Sequence, residues 1–259
     1  SFLICNMKKI ALIVEYDGGL YKGFQNQTDA PTIQNTIERA LSMLTNEDIA
    51  IKAAGRTDAG VHAKSQVISF TTMTKNPIQT YINGANHFLP HDISIKKGYE
   101  VDIDFDPRRM AISRKYQYSI YCGSTRSPLT AKFAYYIGKT LNIPLMVKGS
   151  KYFLGIHDFR NFSVAKRNEY KSTIREIYNI NINKIEKMVY ITIEGSAFLS
   201  HQVRRMCGAL VSVGTEVIKP DSIKNMLDNT MVKDSSQTLP AHGLCLIGVN
   251  YKCFNSESD

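Results

Sequence analysis

Short apolar runs alternate with polar turns along this chain, and the spacing of the apolar positions changes from run to run. Lys8–Tyr16 is dense in Ile, Leu and Val and stops at Asp17-Gly18-Gly19, the pattern of a buried strand closed by a turn. Thr32 stands where it can cap a helix whose Ile33, Ile37, Leu41 and Leu44 recur at helical spacing, with Ala40 on the same side. A short strand is expected through Ile49, Ile51 and Ala53, and a further one over residues 65–71. Between them lies the loop Gly55-Arg56-Thr57-Asp58-Ala59-Gly60. Asn76-Pro77 has the cap and first-turn arrangement of a second helix, which carries Ile78, Ile82, Ala85 and Leu89 before Pro90 ends it. Ile93–Val101 is again strand-like.

The second half varies the same scheme. Tyr116, Tyr118 and Ile120 alternate on one face of a strand, and a helix is expected over 144–154, ended by Gly155. Strands at 173–183 and 188–194 flank the polar stretch 184–187 as in a hairpin; 200–218 reads as a helix, 221–229 as a short second one, and 244–252 as a closing strand. The order β-α-β-β-α-β, read twice, suits two α+β halves with antiparallel sheets better than a parallel doubly wound sheet. Periodicity is weakest over 102–113, so the halves are placed at 7–107 and 108–254.

Composition narrows the class. A length of 259 residues with 43% hydrophobic content supports real cores, and 21% charged residues with no short repeat argue against a disordered, collagenous or solenoid chain. The surplus of 32 Lys+Arg over 23 Asp+Glu, a formal +9, suits a polyanionic partner and equally a solvated basic surface. Cys5, Cys122, Cys207, Cys245 and Cys253 are scattered without a C-x-x-C pair, so neither a disulfide framework nor structural zinc is expected, and a reducing cytosol fits best. His62, His87, His91, His157, His201 and His242 show no metal spacing. The stretch before Met7 is too short and lacks the basic residues of an export signal, and no run approaches the roughly 20 apolar residues of a membrane span.

The loop at 55–60 concentrates the chemistry. Its two glycines allow a sharp turn and close approach of a ligand. A cation, a hydroxyl and a carboxylate follow one another between them, which can hold a phosphate while presenting a nucleophile or base. The same residues can also serve as ordinary turn chemistry, with Asp58 bonding nearby amides.

The stretch GRTDAGVHA (55–63), with Tyr16-Asp17-Gly18 and Gly23-Phe24-Gln25-Asn26-Gln27 upstream, resembles the signature of the tRNA pseudouridine synthase TruA family. The resemblance continues in family order through LPHDI (89–93), RKYQYSI (114–120), GIHDFRNFS (155–163), FLSHQVRRMCGAL (198–210) and AHGLCLIGVNY (241–251). It implies isomerisation of uridine to pseudouridine in tRNA, on the 3′ side of the anticodon stem-loop at tRNA positions 38–40. It further implies two ferredoxin-like halves with antiparallel sheets joined around a central active-site cleft, a homodimer, and no cofactor or metal. Asp58 matches the catalytic aspartate, whose attack on base or ribose the sequence leaves open. Arg56 matches the arginine that helps extrude the nucleotide and hold its phosphate, a task suited to a fixed guanidinium fork. Tyr116 matches the tyrosine that stacks on the target base, and Leu244 a residue on the base's other side.

Arg204 matches a run whose arginine reaches the aspartate or a tRNA phosphate, while Arg205 reads equally as a solvated helix face. Arg108, Arg109, Arg114 and Lys115, and the later pair Lys166 and Arg167, form two basic clusters beside aromatic residues, as the family's tRNA-contacting stretches do. His201 is a phosphate-contact candidate, and His62 a candidate for a loop-stabilising hydrogen bond. Three departures stand out: Phe24 where the family has Trp, Asp106-Pro107 where it has His-Ala, and Cys245 where it has Tyr. Asp106 adds a negative charge to an RNA-facing stretch. A non-catalytic tRNA-binding protein on the same scaffold would keep the basic clusters without needing Asp58.

Overall fold

The continuous apolar run of β1 (Lys8–Tyr16) makes it a central strand: Ile10 to Val14 are all buried, so both faces of the strand are covered. The computed structural model describes residues 7–28, 30–164, 172–228, 237–254 and 256–257. It is an α+β protein of two compact units, Ser1–Ile112 with Leu246–Asp259, and Ser113–Cys245. Among the described residues no helix is long and apolar enough to cross a membrane.

In the first unit the order is β1, α1 (Ile33–Thr45), β2 (Lys52–Ala53), β3 (His62–Thr72), α2 (Ile78–Phe88) and β4 (Ile93–Val101). The sheet runs β4-β1-β3, continued by the C-terminal β10 (Leu244–Asn250), with β2 also pairing β3. The pairings β1/β3, β1/β4 and β2/β3 are antiparallel. Ile33, Ile37, Ala40 and Leu41 of α1 and Tyr81 and Ala85 of α2 form their buried faces. Thr32 caps α1 by accepting the Asn35 amide hydrogen, and Asn46 ends it in the left-handed region at φ 55°. The start of α2 differs from the sequence expectation. Pro77 itself is the capping residue, with extended ψ of 156° and no side-chain bond, so Asn76 lies outside the helix.

The second unit contains β5 (Ser113–Tyr121), β6 (Tyr135–Tyr136), α3 (Ile143–Ser150), β7 (Gly155–Asp158), β8 (Ile174–Ile185), β9 (Met188–Gly195), α4 (Gln202–Gly214) and α5 (Ser222–Asp228). Its strands run β5-β9-β8-β7 with antiparallel pairing, and β6 adds a short parallel pair to β5. The hairpin is tighter than the polar stretch implies. Ile185 pairs with Met188, leaving a two-residue turn in which Glu186 takes φ 52°. Helix α4 is shorter than the span 200–218, because His201 adopts φ 62° ahead of it and Thr215 leaves helical geometry behind it. Phe153, Phe159 and Phe162 stack into an aromatic core, with Met206, Cys207, Leu210 and Val213 buried on α4.

Candidate active site

The loop between β2 and β3 is held from behind at Ala54, Gly55 and Thr57. Ala54 donates its amide to Val67 O, Gly55 O accepts from Gln66 Nε2 at 2.9 Å, and Thr57 O accepts the Phe24 amide at 3.0 Å. Thr57 is buried, and its Oγ1 lies 2.8 Å from Tyr16 Oη in a hydroxyl–hydroxyl hydrogen bond. Thr57 is the buried residue of the triplet, between exposed Arg56 and half-buried Asp58. Two glycines permit the packing around this loop. Gly23 sits at φ +96°, where a Cβ would stand 2.9 Å from Thr57 O, and a Cβ at Gly18 would run into Val61 O. Buried His62 completes the frame: its Nδ1 accepts the Gly18 amide hydrogen at 3.1 Å, and the same nitrogen lies 3.0 Å from Asp17 Oδ1. A loop-stabilising role for His62, one of the readings open to sequence, is what this geometry provides.

Arg56 also lines a groove of about 410 Å³ in the first unit, together with Phe24, Lys52, Asp106, Arg108 and Arg109. Among the described residues the guanidinium groups of Arg56 and Arg109 make no hydrogen bond or ion pair. Asp106, which reads in sequence as an unwelcome negative charge, has a local purpose. Its Oδ1 accepts the amides of Arg108 and Arg109 at 3.0 Å each, and its Oδ2 lies 3.4 Å from Lys52 Nζ. Partial burial acts to raise its pKa, but those two amide bonds and Lys52 outweigh it and hold the carboxyl below its ordinary value. The turn is further tied down by Pro107 O, which accepts from Tyr251 Oη at 2.7 Å, and by Phe105 packed against Tyr251 and Phe254. Arg56 and Arg109, with Arg108 on the same ordered turn as Arg109 and Lys52 on β2, make the groove suited to anions.

The other expected residues stand in the second unit. Tyr116 on β5 is 8% exposed and meets Phe198 edge to face at 5.4 Å. Tyr118, on the same strand face, is fully buried and donates to Pro240 O at 2.7 Å, its pKa pushed up by burial. Leu244 is buried where β10 begins, and His201 holds the left-handed position before α4. Arg204 Nε donates to Leu239 O at 2.7 Å. Lys166 and Arg167 lie outside the described residues.

Two arginines differ from their sequence readings. Arg114 is buried, with Nη1 donating to Ser196 O at 2.8 Å, so it is not surface charge for a backbone contact. Arg205 is not on a solvated face. Its Nε donates to Thr238 Oγ1 and its Nη1 to the carbonyls of Asn161 and Ser163, at 3.0–3.1 Å, and burial lowers its pKa. It ties α4 to the turn after Phe159. Arg205→Ala removes these three hydrogen bonds and is expected to destabilise the fold by about 2 kcal/mol, read as a lower thermal midpoint.

What sequence reasoning missed is the support of the loop: Tyr16 and Gln66 are 41 and 11 residues from the atoms they hold, Thr57 Oγ1 and Gly55 O. A family model described as tRNA pseudouridine synthase matches residues 12–108 and 150–252 of this chain. With that match over most of its length, the chain belongs to the tRNA pseudouridine synthase family: it is a pseudouridine synthase, an isomerase. Among its relatives, tRNA pseudouridine synthase A of Geotalea daltonii is 40% identical over 245 residues, covering 95% of this chain and 100% of that protein. tRNA pseudouridine synthase A 1 of Clostridium tetani is 41% identical over 246 residues, with the same coverage of each chain.

Proposed function

We propose that this protein converts uridine to pseudouridine in tRNA, on the 3′ side of the anticodon stem-loop, with Asp58 as the catalytic carboxylate. In this isomerisation the N1–C1′ bond breaks and the uracil turns. A C5–C1′ bond then forms, the C5 proton leaves to solvent and N1 gains one. A carboxylate can form and release a covalent intermediate at either centre without a metal. Arg56 holds the flipped nucleotide by its phosphate, a contact that helps offset the few kcal/mol of unstacking. Tyr116 stacks on the target base, with Leu244 on its other side.

The observation that carries this reading is the pinned loop, in which buried Thr57 stands between exposed Arg56 and half-buried Asp58, within the residues matched to the family. Arg108, Arg109, Arg204, His201 and Lys166 are assigned to the tRNA backbone, Arg109 with the support of its unpaired guanidinium. Salt should expose that role. Arg109→Ala is expected to weaken tRNA binding and to make the slope of log affinity against log salt shallower by about 1; an unchanged slope would remove Arg109 from the contact set.

The sequence halves 7–107 and 108–254 are read as related ferredoxin-like units. Support comes from the first unit's order β1-α1-β2-β3-α2-β4 with sheet order β4-β1-β3 and β2 on β3, and from the β5-β9-β8 arrangement in the second. A cytosolic homodimer completes the proposal. The test is to incubate unmodified tRNA with the protein and map pseudouridine by position. Product confined to the 3′ side of the anticodon stem-loop supports the assignment, and product elsewhere overturns the site.

A further inference from the structure

Two neighbouring antiparallel strands each send one polar side chain into the buried space behind the candidate catalytic loop. Tyr16 stands at the end of β1, just past a register shift between Val14 and Tyr16, and Gln66 stands on β3 opposite Val14. Both are buried, Gln66 completely. Gln66 Nε2 donates to Gly55 O at 2.9 Å and lies 3.5 Å from Tyr16 Oη, while Tyr16 Oη lies 2.8 Å from Thr57 Oγ1. The two contacts grip the loop on either side of Arg56. Among the described residues Gln66 Oε1 is buried without a hydrogen-bond partner, so this amide is oriented by the need to give Gly55 O an N–H rather than by satisfaction of its own oxygen.

Resting on Asp58 as the catalytic carboxylate, we propose that Thr57 and Tyr16 are positioning residues for it: their buried hydroxyl pair, backed by Gln66, sets the direction in which Asp58 and Arg56 leave the loop. Residues 56, 57 and 58 run exposed, buried, half-buried. Each neighbour is one peptide link from Thr57, so the depth and rotation at which the Oη–Oγ1 bond holds Thr57 set where Arg56 and Asp58 start from the loop. Burial of a threonine methyl alone would keep the residue inside without fixing that rotation. The backbone bond from the Phe24 amide to Thr57 O and the close seat of Gly23 then act as a fulcrum. Misplacement of a reacting group by about an ångström costs on the order of a hundredfold in rate, which is the scale on which such a pin acts.

The test compares Thr57→Val, Tyr16→Phe, the double variant and Thr57→Ser with wild type, each assayed for kcat, KM for tRNA and thermal midpoint, with Asp58→Asn run in parallel. Thr57→Val and Tyr16→Phe keep the shape and remove one hydroxyl each. The expected result is a fall in kcat of about 10- to 100-fold with KM near wild type and only a modest drop in midpoint, since Tyr16→Phe strands the buried Thr57 hydroxyl. The double variant should be no slower than Tyr16→Phe, because both singles remove the Oη–Oγ1 bond and Tyr16→Phe also removes the hydroxyl that Gln66 Nε2 approaches, and Thr57→Ser should restore most of the rate. Wild-type kcat in the folded single variants overturns the proposal. So does a loss that only tracks a lowered midpoint, or a serine variant as slow as valine. Tyr16→Phe carries the test alone should Thr57→Val not fold. An inactive Asp58→Asn beside fully active hydroxyl variants rejects the positioning role only, whereas a fully active Asp58→Asn rejects the catalytic assignment on which it rests.

Discussion

Asp58→Asn is expected to lower pseudouridine formation by about 10³-fold or more, equivalent to roughly 4 kcal/mol of lost transition-state stabilisation. The substitution is nearly isosteric and replaces a group that can attack or take charge with a neutral amide that can do neither. Little else should change. The loop is held through the backbone of Gly55, Thr57 and Asp58 and the side chains of Thr57, Tyr16 and Gln66, none of which the substitution alters. Affinity for tRNA should stay close to wild type, with the loss in turnover of bound tRNA. A variant that binds as before and turns over at the wild-type rate would reduce Asp58 to the turn-forming residue that sequence alone also allows.

Gly18→Ala should have the next largest effect, on stability and rate together. A methyl group there would stand 2.0 Å from Val61 O and 2.7 Å from Val61 C, both backbone atoms that cannot rotate away. The strain must move either the 17–20 turn or the segment 58–61 behind the candidate aspartate. The turn resists, because Asp17 donates its amide to Asp92 O, Gly18 donates to His62 Nδ1 and Gly19 to Asp17 Oδ1. Overpacking of this kind typically costs about 1–3 kcal/mol. Because Val61 N donates to Asp58 O at 3.1 Å, a displacement of Val61 is transmitted to Asp58. The expected outcome is a lower thermal midpoint with a reduced kcat even at temperatures where the variant is fully folded. A destabilised variant with unchanged kcat would show that the turn yields and the loop does not.

Elements with a strong apolar period were legible before any coordinates. Ile33, Ile37, Ala40 and Leu41 of the α1 stripe and the Tyr116-Tyr118-Ile120 face of β5 are buried as their spacing demands, whereas Leu44, at the end of the stripe, is only half-buried. Strand β7 was not legible: it has four residues, no buried one, and Ile156 is 68% exposed, so neither alternation nor a core face marks it. The loop 55–60 stood out because two glycines bracket unlike polar groups, yet what supports it could not be seen. A tyrosine at the end of an apolar strand reads as core packing, and only the fold brings its hydroxyl to Thr57. Arg114 and Arg205 illustrate a different limit. Lys and Arg signal exposure on average, but a guanidinium with several carbonyl partners is stable inside, and those partners come from distant segments. Asp106 read as an intrusion of negative charge for the same reason, since its partners are backbone amides that sequence does not display.

The central claim, an Asp58-dependent transfer of the uridine linkage from N1 to C5, is tested most directly by tritium release. Forming the C5–C1′ bond expels the hydrogen on C5, so unmodified tRNA carrying 5-tritiated uridine should release tritium to water in step with pseudouridine formation. The account predicts release by the wild-type protein and none above background from Asp58→Asn at equal tRNA occupancy. Equal release from both proteins, or none from either, would contradict it.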